Sequence, residues 1–445
     1  IYGTADYILQ NKYIFNLTLA NDATSRSGEN APATFVYPSV AAAWLVSGER
    51  FMKNTDWLSL LKVRASYGLS GNDEIGTYSA RRYYVSQGLL GNFGMAQGNL
   101  ANTRLRPETI KRLNAGFDLS VLNERINLCV DIYSNTVKDM ILRTTPDRRT
   151  GFTTYLSNTG SMRNTGIDIN MNARVLNGPF KWDLGIMASK YKNEVLKLAG
   201  ETLYTEVLDG VVQTKVGQPM GVFYGYETDG VYASTTEAQA AGQYEMHGLV
   251  QVPFGAGDVR FVNQTGNDKL IDENDQTIIG DPNPTLYGSI VNVFGYKKWS
   301  LNALMTYSLG NDVYNYTRSK LENLSTYNNQ SVAVLARWKN EGNETSMPAV
   351  AYGDPMGNAR FSDRWIEDGS YLRLKTLTLA YDLTFRNDVI QGCTLFATGE
   401  NLFTLTKYKG TDPEFAYGQN PLFYGVDACV LAQPKTISIG LRLSL

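Results

Sequence analysis

Between Asn164 and Asn193 apolar and polar side chains alternate with period two, first along one run and then back along a second. Ile167, Ile169, Met171, Ala173 and Val175 interleave with Asp168, Asn170, Asn172 and Arg174, which makes a strand with one oily face and one wet face. Leu176-Asn177-Gly178-Pro179 follows; Asn-Gly is expected to supply the positive backbone angles of a tight reversal, and Pro to block further pairing. Phe180, Trp182, Leu184, Ile186 and Ala188 then alternate with Lys181, Asp183, Gly185, Met187 and Ser189. A strand in a soluble sandwich needs about five or six residues, whereas these run to about ten or more. With aromatic residues beside the turn, that length predicts an all-β, transmembrane antiparallel β-barrel with lipid outside and water inside.

The same period recurs along the chain. Residues 1–10 pair with 12–21 around Gln10-Asn11, and further strands fall near 35–46, 61–70, 113–121, 126–132, 285–296, 298–309, 371–384, 393–404 and 435–445. A short helix is expected from Glu49 to Leu60. The count comes to about thirteen strands. Connections near 10, 48–60, 123, 177, 297 and 385–392 are short, while those at about 71–108, 194–284, 310–370 and 405–434 are long. Short periplasmic turns and long extracellular loops give that asymmetry. Tyr13, Trp44, Trp57, Phe180, Trp182, Tyr296, Trp299 and Phe385 lie near the short turns, where an interfacial aromatic girdle belongs. Both terminal strands run toward the short-turn rim. A closed bacterial barrel of that kind has an even strand count, so an odd number of strands is expected beyond this chain.

Composition narrows the function classes. Net charge is −2 over 445 residues, so there is no bulk basic field for nucleic acid. The longest apolar run, Val40 to Val46, is far short of the roughly 18 residues of a spanning helix. Cys129, Cys393 and Cys429 are too scattered for a disulfide framework or a zinc site, and the single histidine, His247, leaves no room for a histidine cluster. No carboxylate pair or nucleophile stands out, so the chain is read as a non-enzyme. It begins at Ile1 without a signal peptide, as a processed or partial polypeptide would.

Four stretches carry a family resemblance. They are Leu105-Arg106-Pro107-Glu108-Thr109 running into Asn135-Thr136-Val137-Lys138-Asp139-Met140; Asn158 to Gly166; Tyr371-Leu372-Arg373-Leu374-Lys375; and Gly399 to Tyr408 with Asp412-Pro413-Glu414. In this order the chain resembles the SusC/RagA family of TonB-dependent outer-membrane transporters of Bacteroidetes. The resemblance implies a barrel of about 22 strands, of which about nine lie outside this chain. It also implies an N-terminal plug, a TonB contact and a SusD-like lipoprotein over the extracellular face, with a dimer of transporter-lipoprotein pairs as an assembly. The chain ends in Leu445, where the family often ends in an aromatic residue.

Three groups of residues are candidates for chemistry. Arg81-Arg82-Tyr83-Tyr84 joins cations to aromatic faces and would contact ligand at the extracellular mouth, or simply extend a strand above the membrane. Lys62, Arg64, Asp118, Asp131, Asp168, Arg174 and Asp183 share lumen parity and would hold a plug, or be charges that a wet lumen tolerates. Asp258, Asn263, Asn267, Asp268, Asp272 and Asp275 form an oxygen-rich loop that would suit Ca2+. Its spacing departs from an EF-hand, with Asp268 at the sixth position and Asn274 at the twelfth counted from Asn263, so a solvated acidic loop is the competing reading. No other cofactor is expected. The function expected is TonB-dependent import of a nutrient, glycan in preference to peptide on family grounds, through a barrel embedded in bilayer and lipopolysaccharide. The alternative is a passive channel or surface-binding barrel without energy coupling.

Overall fold

The computed structural model describes residues 1–383 and 392–444 except Asn267, Ala416 and Gln419. Thirteen strands form one antiparallel sheet in sequence order. They are β1 (Tyr2–Leu9), β2 (Tyr13–Asp22), β3 (Phe35–Leu45), β4 (Leu58–Asn72), β5 (Glu108–Val121), β6 (Ile126–Thr144) and β7 (Tyr155–Asn177). The series continues with β8 (Phe180–Lys197), β9 (Leu286–Tyr296), β10 (Trp299–Leu309), β11 (Tyr371–Leu383), β12 (Gly392–Thr406) and β13 (Thr436–Ser444). Among the described residues β1 pairs only with β2 and β13 only with β12. Phe385 with the rest of the expected turn up to residue 391, and Leu445, lie outside the described residues. No helix of the described chain is long and apolar enough to cross a membrane.

Cross-strand register turns the period-two pattern into two surfaces. On one surface Val63, Phe117, Val130 and Ile169 stand side by side on β4 to β7. On the other, one residue along, Lys62, Asp118, Cys129 and Asn170 do the same. The apolar surface stays open: Ile132 is 61% exposed and Ile439 79%, as expected of a surface solvated by hydrocarbon.

At the short-turn rim the aromatics stand on the apolar face. Tyr13 stacks on Trp44 at 6.5 Å, Trp182 on Phe294 at 5.9 Å, and Trp299 meets Tyr381 at 4.7 Å. Their polar ends are held: Tyr13 Oη and Trp44 Nε1 donate to Glu49 Oε1, and Trp182 Nε1 donates to Asn292 Oδ1 at 3.1 Å. Such rings keep an apolar body beside a partnered tip.

Two local expectations need correction. The turn after β7 has no positive φ at Asn177 or Gly178. Instead Val175 is an extra residue between two paired ones, so a β-bulge takes up the twist beside Pro179. The expected helix from Glu49 to Leu60 is two 3-10 turns, Val46–Gly48 and Arg50–Met52, because β4 starts at Leu58 and leaves too little chain.

The large buried side chains, Trp365, Tyr232, Tyr314, Phe223 and Phe261, lie in the long connections rather than in the barrel wall. Val207, Val212 and Phe223 pack with Tyr314, Trp365 and Val426, so the connections 198–285, 310–370 and 407–435 share one apolar core. A second core around Tyr232, Phe254 and Phe261 reaches Met356. Asp312–Asn315 pairs with Ile366–Asp368 and, in parallel, with Val426–Asp427. These connections form a folded crown on one rim.

Candidate binding cleft in the barrel lumen

Six of the seven lumen charges read from parity satisfy one another. Arg64 donates from Nη1 and Nη2 to the two oxygens of Asp131 at 2.5 and 2.6 Å and from Nε to Asp118 at 3.3 Å. Lys62 lies 3.3 Å from Asp118, so two cations meet two anions across β4, β5 and β6. Gly116, between Arg64 and Asp131, keeps that contact open: a Cβ there would fall 2.8 Å from Asp131 Oδ1 and 3.3 Å from Arg64 Cζ. Arg174 pairs with Asp183 at 3.1 Å near the short-turn rim. Asp168 makes no hydrogen bond or ion pair with a described residue.

Asp168 faces a cleft of about 1090 Å³. Arg112, also without a hydrogen bond or ion pair, lies on the same lining with Asn114, Asn135 and Asn164. Tyr133 lies across Gly166, where an added Cβ would meet the phenol oxygen at 2.5 Å. Tyr191 meets Tyr287 edge to face at 6.1 Å and donates its hydroxyl to Asn283 Oδ1 at 3.1 Å. Tyr371, Tyr424 and Glu414 close the side nearest the crown. Among the described residues the cleft therefore presents amide and phenol groups, one free cation and one free anion. Parity with Arg64 and Asp131 would have found Arg112 and Tyr133; Tyr424 belongs to a connection and had no periodic signal.

The motif residues join elements. Arg106 N donates to Asn158 Oδ1 at 2.9 Å, and Asn158 Nδ2 donates to the carbonyls of Arg106 and Asp139 at 2.8 and 2.7 Å. Arg106 Nη2 reaches Asp139 Oδ1 at 2.7 Å, while Glu108 accepts from Ile141 N and Asn72 Nδ2. Leu105 beneath them is fully buried. Two of the four motifs thus meet at one point at the crown ends of β4 to β7. The other two meet similarly. Arg373, 2% exposed, pairs with Asp412 and lies 3.1 Å from Glu414, which also takes Lys375 at 2.9 Å.

The remaining candidates lie elsewhere. Arg81 and Arg82 are exposed on the 73–107 connection without an ion pair, and Tyr83 N donates to Asn99 Oδ1 beside a hairpin of Tyr84–Leu89 with Asn92–Gln97. None of the four lines the cleft. In the acidic loop, Asp275 is fully buried and accepts from the backbone of Gln264 and Thr265 on one oxygen and from Asp272 N on the other. Asp268 accepts from Asn263 and Leu270, Asp272 from Asn274, and Asp258 from Gly255 and Asn358. Asn267 lies outside the described residues. No group of three or more His, Cys, Asp or Glu converges among the described residues.

Lipid-facing strands, a wet and charge-paired inner wall and a folded crown define the wall of a membrane-spanning β-barrel. Residues 1–402 match the family model described as TonB dependent receptor-like, beta-barrel, and the chain belongs to that family. It is 31% identical to TonB-dependent receptor P3 of Formosa agariphila, over all of this chain and 45% of that protein. It is 29% identical to TonB-dependent receptor SusC of Bacteroides thetaiotaomicron, over 99% of this chain and 43% of that one. The solved RagAB peptide transporter superposes with a TM-score of 0.83 at 25% identity, covering 99% of this chain and 47% of that one. The chain spans about half the length of the curated relatives it matches.

Proposed function

We propose that this chain forms the lumen wall and loop crown of a TonB-dependent importer that takes up short peptides across the outer membrane. The cleft carries the substrate reading: among the described residues Arg112 and Asp168 are unpaired charges of opposite sign on one lining. They suit a ligand with carboxylate and ammonium groups, while the asparagine amides suit its backbone. A neutral glycan would offer the two charges hydroxyls but no opposite charge. Likeness to the RagAB peptide transporter supports the same class. The long-loop rim faces outward, where a SusD-like lipoprotein covers the crown, and TonB acts from the opposite side through a plug. Two transporter-lipoprotein pairs form the assembly. Strands beyond this chain close the sheet, since the free edges of β1 and β13 would otherwise place unpaired backbone groups in hydrocarbon.

Uptake of labelled peptide pools and of oligosaccharides, measured in parent and TonB-deficient cells, tests the reading. Peptide uptake lost without TonB is expected. Uptake that persists without TonB would establish the passive channel, and uptake of oligosaccharide alone would overturn the substrate class. Arg112→Gln with Asp168→Asn is expected to raise KM for peptide about tenfold or more, on the scale of charge-assisted hydrogen bonds.

A further inference from the structure

The outward face of β5 to β8 changes character along the strands. Toward the short turns it reads Phe117, Val130, Ile169 and Ala188. Two steps nearer the crown the rung is Leu113, Ser134, Thr165 and Lys192, and between these rungs lies one ending in Ile132, Ile167 and Lys190. The small Ser134 and Thr165 lie between larger neighbours and leave a groove of about 510 Å³ on the lipid-facing side. Beyond it stand Lys111, Lys138 and Arg163 on the same face. Arg163 is spent on Glu194 at 2.8 Å. Lys111, Lys138, Lys190 and Lys192 make no hydrogen bond or ion pair with a described residue.

Lys190 and Lys192 stand two residues apart on one face of β8 and repel each other, with Glu194 beside Lys192 offsetting part of that charge, and on a lipid-facing wall they need water or an anion. They stand where the apolar columns end, at headgroup height in the leaflet on the crown's side. We propose that the groove is a binding site for the phosphorylated glycolipid of the outer leaflet. One acyl chain lies over Ile132 and Ile167, and Lys190 and Lys192 hold a headgroup phosphate as compact point charges. The proposal rests on the crown facing outward. Charge complementarity selects the occupant: a zwitterionic headgroup would leave the lysines uncompensated.

The test uses the full-length protein, purified in mild detergent and delipidated, with native mass spectrometry of lipid retention. Diphosphorylated lipid A is titrated against the same acylated disaccharide without phosphates and against phosphatidylglycerol. The parent protein is expected to retain one lipid A at least tenfold more strongly than either comparison lipid. Lys190→Gln with Lys192→Gln removes that preference. Thr165→Trp, which fills the groove and keeps the charges, weakens retention similarly, and Lys53→Gln at the opposite rim leaves it unchanged. Heat-modifiable migration on gels verifies folding of each variant. Equal retention of the phosphate-free lipid or of phosphatidylglycerol, or less than a twofold effect of either groove variant, overturns the site. Peptide uptake is not part of this readout, so failure of the import reading and failure of the lipid site are separable.

Discussion

Replacing Arg373 by Met would unfasten the crown from β11. The guanidinium is 2% exposed and Asp412 5%, so both charges are out of water and each is the other's compensation. Asp412 also accepts from Glu414 N at 2.8 Å and Gln433 N at 2.9 Å, so it organises the connection that the arginine anchors. Breaking a buried pair by removing one partner costs about 3–5 kcal/mol. The remaining backbone donors and Lys375 beside Glu414 place the effect at the lower end, about 3 kcal/mol. If the cost falls on local opening of 407–435, the open population rises by about two powers of ten. Limited proteolysis of the protein in detergent, in the regime where cleavage follows the open population, reads that factor directly. Arg373→Met with Asp412→Asn removes both charges, and should recover more than half of the loss by sparing a buried carboxylate without its cation. A change of less than threefold in the single variant would refute the reasoning. So would a double variant opening more than the single one.

Three other outcomes follow from the geometry. Gly166→Val drives a side chain into Tyr133 and the Lys190 carbonyl, and should cost about 1–3 kcal/mol as overpacking, read as a lower temperature for loss of heat-modifiable migration. Trp182→Phe keeps the ring but leaves Asn292 Oδ1 on the lipid face without its donor, a loss of about 1–3 kcal/mol in reversible urea unfolding into vesicles. Burial holds the Asp363 carboxyl above the usual carboxylate range, although Thr228 Oγ1 donates to it at 2.6 Å. A raised folded pKa contributes stability at pH below the ordinary carboxylate value and loses it as pH rises through the raised one. Crown protection in hydrogen exchange, corrected for intrinsic rate, should therefore fall between pH 4 and 7 less steeply in Asp363→Asn than in the parent. Asp312 and Asp354 are raised by burial as well, so the slope should shrink without vanishing.

The barrel strands were legible because lipid and water impose opposite demands on alternate residues, and that demand is local. Trp299, Leu301, Ala303, Met305 and Tyr307 could be assigned to one face before any partner strand was known, and the register with Tyr381, Leu379 and Leu377 bears this out. The crown was not legible in the same way. Phe223, Tyr314 and Trp365 come from two connections and bury one another, with no period to announce it. Charge parity located Arg64, Asp118 and Asp131 on the inner face. It could not tell that Gly116 would let Arg64 reach Asp131, nor that Asp168 would pair with none of the described residues. The turn at Asn177-Gly178 misled because a bulge at Val175 and the fixed ring of Pro179 supply by another route the bend that positive φ was expected to give.

The two free strand edges have a practical bearing. All eight residues of β1 are exposed, and Ile437 and Ile439 on β13 are 77% and 79% exposed. Released into water without other strands, the edge of β13 on one copy and of β1 on the next would offer complementary rows of amide and carbonyl groups. A head-to-tail contact of that kind repeats from copy to copy and need not close on itself. This segment, expressed alone, should polymerise into ribbons that grow with concentration, and a short peptide matching β2 should cap their ends.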